Sequence, residues 1–201
     1  MTTTTAPRRG RPGYDRSTLV AVCVATFNRH GYDATSMGML AAELGVSKSA
    51  IYHHVSSKEE ILEMALGQAL DALEAVLAEA EQLDESGAKR LEKALRSTVQ
   101  VLIEQMPQVT LLLRLRGNSP VETAALQRRR DITSRFGRIV ESGQKDGSLV
   151  TSQPPRRIAR LVLGMVNSIV DWYRPGESAA EPAQLEESIL RLALDGVLAE
   201  R

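Results

Sequence analysis

The sequence predicts an all-α protein, an N-terminal helix-turn-helix unit followed by a longer helical bundle. Three observations carry that prediction. Residues 36–60, SMGMLAAELGVSKSAIYHHVSSKEE, read as two short helices joined by a Gly45-Val46-Ser47 turn, with a third helix starting behind them. Two helices joined by a turn of that length form the reading unit of helix-turn-helix DNA-binding proteins. Everything after Lys58 keeps helical apolar spacing, with no alternating runs bounded by hairpin signals. The charge is also polarised. The 25 Lys and Arg balance 25 Asp and Glu overall, yet residues 1–58 hold seven basic residues against three acids. A basic front on an acidic body is the electrostatic footprint of a nucleic-acid reader with a second function behind it.

Residues 1–12 read as a flexible basic arm. Its Arg8-Arg9-Gly10-Arg11-Pro12 cluster either enters a minor groove or attracts phosphates without specificity. Residues 13–58 form the expected helix-turn-helix domain. Its first helix carries the chain's one cysteine, Cys23, among apolar neighbours, so a core role is expected and a disulfide framework is excluded. Ser36 and Ser47 stand as N-caps of the next two helices, over residues 37–44 and 48–54, each hydroxyl accepting from an orphan helical N–H. Ser57 and Glu60 form a capping box that opens the fourth helix. Leu40, Ala41 and Leu44 make an apolar stripe facing Val46, Ala50 and Ile51. Lys48, Ser49, Tyr52 and His53 are thereby left to face outward, where a cation, a hydroxyl, a phenol and an imidazole suit phosphates and base edges. Ser36 and Lys58 are expected to hold phosphates. The plainer alternative is a helical corner in some other all-α domain.

Residues 14–66 resemble the DNA-binding domain of the TetR family of bacterial repressors. The resemblance runs through Phe27…His30-Gly31-Tyr32, Thr35-Ser36, Gly45-Val46-Ser47-Lys48, Ile51-Tyr52-His53-His54-Val55 and Ser57-Lys58-Glu59. Gly38 departs from it, standing where the family usually has a polar residue, at a helix-propensity cost of about 1 kcal/mol. Val55 stands where an aromatic is common.

Residues 59–201 are expected to be a ligand-binding and dimerisation domain. Helices are expected over residues 58–82, 88–106, from Pro107 to Arg116, and over 121–145, 156–173 and 183–200, separated by Asp84-Glu85-Ser86-Gly87, Gly117-Asn118-Ser119-Pro120, Asp146-Gly147, Pro154-Pro155 and a loop over 174–182. With the three before them they make about nine, the count typical of the family. The last two carry apolar residues on two sides: Ile158, Leu161, Val162, Met165, Ile169 and Tyr173 against Leu163, Val166 and Val170, then Leu185, Ile189 and Leu192 against Leu190, Leu194 and Val197. A second apolar stripe calls for a partner or for burial on both sides of one monomer. The resemblance implies that these two helices build a homodimer, which sets two recognition helices on a palindromic DNA operator.

Residues 105–140 concentrate Arg114, Arg116, Arg128, Arg129, Arg130, Arg135 and Arg138 against Glu122 and Asp131. At about 100° per residue, Arg129 shares a side with Ala125, Ile132 and Phe136, Arg130 points away, and Arg128 sits at the edge. An arginine on an apolar stripe snorkels, pairs with a buried acid, or meets an anion. One reading is a basic mouth at Arg114, Arg116, Asn118 and Arg129 that accepts an anionic head over a pocket of Leu111, Leu112, Leu113 and Phe136. The other is a basic helix face balancing Glu-rich neighbours.

TLLLRLRGNSPVE, ALQRRRDITSRF and LVLGMVNSIVDWYRPGE are also similar to TetR regulators that sense acyl-CoA thioesters, nearest those of phenylacetate catabolism that respond to phenylacetyl-CoA. On that reading Asn167 donates to the thioester carbonyl or bonds a neighbouring helix, and Trp172 lines the pocket or seals the helix end against a dimer partner.

His30, His53 and His54 are the only histidines, and none sits at metal-ligand spacing with acids or the cysteine, so neither a metal site, nor a cofactor, nor catalysis is expected. No apolar run reaches transmembrane length and no signal-peptide core precedes the first helix, so a cytoplasmic protein without a membrane partner is expected. Two rivals remain: a TetR-type repressor of an efflux gene induced by a lipophilic drug or uncharged metabolite, and a helical acyl-CoA-handling enzyme or carrier.

Overall fold

The structure, a computed structural model, describes residues 15–174 and 182–195. The basic arm, the loop after Arg174 and Val197 lie outside them. The described residues form an all-helical fold: α1 (Arg16–His30), α2 (Met37–Leu44), α3 (Lys48–Tyr52), α4 (Lys58–Gln82), α5 (Gly87–Glu104), α6 (Met106–Arg114), α7 (Pro120–Lys145), α8 (Pro155–Asn167), α9 (Ile169–Trp172) and α10 (Pro182–Leu194). The nine expected helices are all present, the eighth interrupted at Ser168. There the Ser168 hydroxyl donates to the Met165 carbonyl at 2.7 Å, and the chain turns once before resuming as α9. Such a back-bonding serine loosens a helical turn. The chain divides into two units, the first ending at Ile61 within α4.

In the first unit, Leu19, Val20, Cys23, Val24 and Phe27 of α1, Leu40, Ala41 and Leu44 of α2, then Ile51 and Val55, form the core. Asp15 caps α1 by accepting from the Thr18 N–H at 2.7 Å. Gly31 ends that helix at a φ of 84°, a conformation that carries no Cβ penalty at glycine. Cys23 is fully buried, as expected, and burial pushes its thiol up to about 11.

In the second unit α7 packs on α8 and α5, and α10 packs on α5 and α8. The α5–α7 crossing is a backbone-to-backbone contact. A Cβ built on Gly87 would lie 2.1 Å from the Gly143 nitrogen, so no other residue fits there. Two groups of the following loop then satisfy the start of α5: Asp146 accepts from the Gly87 N–H at 2.7 Å and Ser148 from the Ala88 N–H at 2.9 Å. No described helix is long and apolar enough to cross a membrane.

Candidate DNA-reading surface and effector site

The helix-turn-helix geometry follows from its caps. The Ser36 hydroxyl accepts from the Met39 N–H at 3.2 Å and starts α2. Gly45, left-handed at φ 64° and ψ 32°, ends it. The Val46 N–H reaches the Ala41 carbonyl at 3.0 Å and the Gly45 N–H that of Ala42 at 3.1 Å, the paired bonds of a Schellman turn. Ser47 then caps α3 by accepting from the Ala50 N–H at 3.2 Å. Ile51 is the anchor: its fully buried side chain contributes about 1.5–3 kcal/mol and fixes which side of α3 faces inward. Lys48, Ser49, Tyr52 and His53 are consequently exposed, Tyr52 at 51 %. The Ser49 hydroxyl shares a hydrogen bond with that of Ser47 at 2.9 Å.

Three details differ from expectation. The third helix stops at Tyr52 rather than His54: the His54 N–H tightens onto the Ile51 carbonyl, three residues back, at 2.9 Å, and Val55 is buried in the core. The capping box is displaced by one residue. Ser57 accepts from the Glu60 N–H at 3.1 Å, but the Glu60 carboxylate accepts from the Ser56 N–H at 2.6 Å and the Ser56 hydroxyl at 2.7 Å, and pairs with Arg16. Lys58, expected to hold a phosphate, is committed inside its own unit. Its ammonium donates to the carbonyls of Tyr32 and Thr35 at 2.9 Å each and sits 4.3 Å from the centre of the Tyr32 ring, a cation–π contact. Only one of its three N–H donors is left over.

The expected effector residues separate in the second unit. Of the five arginines of α7, three meet acids of α4. Arg128 bonds Glu74 at 2.8 Å and Asp71 at 2.6 Å, and Arg135 bonds Glu81 at 2.8 Å. Arg138 lies 3.8 Å from the same Glu81. These three therefore tie α7 to the acidic face of α4, as the plainer reading of the cluster held. Arg129 is different. It is half-buried beside the apolar stripe of Ala125, Ile132 and Phe136, and its Nη1 donates to the Leu112 carbonyl at 3.3 Å with no carboxylate in reach among the described residues. Burial, followed by the charge of Arg130, holds its guanidinium below its ordinary pKa. An unpaired, desolvated cation is a costly arrangement.

The mouth expected at residues 114–118 is already filled from within. Glu122 is 3 % exposed, and one of its oxygens accepts from the N–H groups of Arg116, Gly117 and Asn118 at 3.1, 2.9 and 3.3 Å. The backbone of Asn118 thus serves a carboxylate of the protein itself, while the side chains of Arg114 and Arg116 are exposed. Leu113 is half-buried, Leu111, Leu112 and Phe136 are buried, and Asn167 is half-buried at the end of α8. Trp172 is 56 % exposed. Sequence reasoning passed over Gln105, between α5 and α6, whose Oε1 is buried without a hydrogen-bond partner among the described residues. A polar residue just ahead of Met106-Pro107 was the available signal.

An outward-facing second helix of a capped helix-turn-helix, followed by a separate helical bundle, defines a DNA-binding regulator. Residues 19–65 match the family of bacterial regulatory proteins named for tetR, and residues 84–197 match the tetracyclin repressor-like C-terminal domain. The chain belongs to the TetR family. Its members are transcription factors that bind operator DNA as dimers and respond to small-molecule effectors, without being enzymes or carrying a cofactor. The transcriptional repressor KstR2 of Mycolicibacterium smegmatis is 22% identical over 193 residues, covering 93% of this chain and 92% of that protein. SCO3833, a TetR-family regulator from Streptomyces coelicolor, is 40% identical with a TM-score of 0.83, covering 100% of this chain and 96% of that one. The structure of AibR, solved with isovaleryl coenzyme A and operator DNA, has a TM-score of 0.73 at 19% identity and covers 88% of this chain and 96% of that one.

Proposed function

We propose that this regulator is a homodimeric repressor, paired through α8–α10, whose hold on a palindromic operator is released by an acyl-CoA thioester. Lys48, Ser49, Tyr52 and His53 read or clamp the duplex, with Ser36 at its rim. Their joint exposure on a helix pinned by Ile51 supports this assignment. Leu161, Trp172 and Leu192, 68 %, 56 % and 75 % exposed, supply the apolar surface for the twofold contact; exposed side chains of that size call for a cover.

The observation that carries the effector reading is Arg129, the half-buried cation without a carboxylate. An anionic ligand group reaching it offsets the desolvation the fold imposes, and Phe136 and the α6 leucines make the adjoining wall apolar. The complex of AibR with isovaleryl coenzyme A is a precedent on the same fold. Among acyl groups, the likeness of the 107–175 segment to phenylacetate-catabolism regulators favours phenylacetyl-CoA. One observation favours the rival, an uncharged lipophilic inducer: Arg128, Arg135 and Arg138 are matched by α4 acids and the 116–118 turn by Glu122, leaving fewer cations than the sequence promised.

The experiment is a calorimetric titration of the full chain with phenylacetyl-CoA and with free phenylacetate. Duplex binding is followed in parallel on DNA selected by the protein from a random pool. The reading expects the thioester to bind and to release the duplex, both effects weakened in Arg129→Ala. Binding of phenylacetate alone, or equal affinity in the variant, contradicts it. Ligand control requires differential affinity, so release scales with the preference for the state that does not bind DNA.

A further inference from the structure

α8 begins against α7 at Gly137: a Cβ built there would be in ordinary contact, 3.5 Å from Cγ and 3.6 Å from Cα of Arg156. Beside this contact runs a cleft of about 720 Å³, within the range of small-molecule sites. Arg138 and Lys145 stand on its α7 side and Arg156 on its α8 side, and a smaller hollow lined by Arg156, Arg157 and Arg160 adjoins it at Pro154.

Several cations of this protein are matched by acids: Arg128 and Arg135 by α4, Arg96 by Glu186, Arg29 by Glu43. Of the five cations around the cleft, Lys145 bonds Glu141 at 2.6 Å and Arg138 has its distant contact to Glu81. Arg157 bonds the neutral Gln153 at 2.9 Å and has no ion pair among the described residues. Arg156 and Arg160, both exposed, have no ion pair among the described residues. Three arginines in under two turns repel one another, and no acid stands in the first turn of α8 to relieve them. The rest of the wall is Ser134, Gly137, Pro154 and Pro155, with one carboxylate, Glu141, already engaged by Lys145, and with Gln144 bracing the loop by donating to the carbonyls of Thr151 and Gln153 at 2.9 Å each. Guanidinium forks match phosphate oxygens and stack on flat rings.

We infer that the α7–α8 cleft binds the phosphate groups of a nucleotide-sized anion, held by Arg156, Arg157 and Arg160 with Lys145 opposite. The phosphoadenosine head of a coenzyme A ester and a free nucleotide share that chemistry. The inference stands whether or not Arg129 meets an acyl-CoA thioester.

The test is equilibrium binding to the full chain of coenzyme A, adenosine 5′-diphosphate and inorganic pyrophosphate at fixed ionic strength. The variants are Arg156→Gln with Arg160→Gln, Lys145→Gln alone, and Arg130→Gln with Arg114→Gln as a charge-matched control away from the cleft. Tenfold or greater loss in the double variant, a smaller loss in Lys145→Gln and none in the control are expected. Tighter binding of coenzyme A than of adenosine diphosphate identifies the first source; equal binding identifies free nucleotides. Lys145 is 74% exposed, so that variant keeps the test alive if the double one misfolds. No binding by the wild type at millimolar ligand, equal loss in the control, or a double variant that changes dimerisation but not anion binding overturns the inference.

Discussion

Lys48 of α3 lies across Gly38 of α2: a Cβ built on the glycine would stand 3.0 Å from Cε and 3.4 Å from Nζ of the lysine. The glycine that departs from the family pattern thus leaves the space that the Lys48 side chain occupies. Gly38→Ala is expected to raise thermal stability, since alanine gains up to about 1 kcal/mol over glycine within a helix. It is also expected to weaken duplex binding severalfold by crowding Lys48. Thermal denaturation beside fluorescence anisotropy on a labelled duplex reads both signs.

Glycines in the second unit give opposite signs for the same change. Gly67→Ala in α4 meets nothing within 4 Å and should stabilise by about 0.5–1 kcal/mol. Gly87→Ala drives a methyl into the Gly143 backbone and should destabilise by about 3 kcal/mol or more. Urea unfolding of the two variants checks the contrast.

Replacing Arg129 separates its two roles. Arg129→Met removes an unpaired half-buried cation and keeps its apolar bulk, so the ligand-free protein should melt no lower than wild type. The same variant should lose its response to the anionic effector. A lower melting temperature would show that the Leu112 contact outweighs the desolvation.

Acid should loosen the α4–α7 contact. The Arg135 guanidinium, by hydrogen bond and then by charge, holds the Glu81 carboxyl below its ordinary value of 4.5. A carboxylate with a depressed folded pKa lends its stabilisation in full above the unfolded value and loses it as pH falls through the folded one. Stability should therefore be flat above about pH 5 and decline below it. Arg135→Gln should lower the plateau and shrink the decline. Circular-dichroism melts from pH 3 to 7 measure both.

Helix ends were legible because local chemistry sets them: Ser36, Ser47, Pro120 and Pro155 stand where helices begin, and Gly45 where one ends. The outward side of α3 was legible for the same reason, since the positions of Val46, Ala50 and Ile51 leave only one side for Lys48 and Tyr52. What failed to show was long-range pairing. Arg128 and Arg135 find carboxylates more than fifty residues away, and no periodicity announces a partner on another helix. Lys58 misled because an exposed-looking lysine at a helix start resembles a phosphate ligand, while its carbonyl acceptors, Tyr32 and Thr35, belong to a distant turn. The partners of Glu122 were hidden likewise, since only the fold of the 116–118 turn aims three N–H groups at it.

The most direct test of the central claim is the salt dependence of duplex affinity for the wild type and for Lys48→Ala, on DNA selected by the protein. A recognition helix displayed to the phosphates predicts affinity that falls steeply as salt rises. It also predicts a variant bound about tenfold more weakly, with a log–log slope shallower by about one. Duplex affinity that ignores salt, or a variant that binds as the wild type does, would contradict the account.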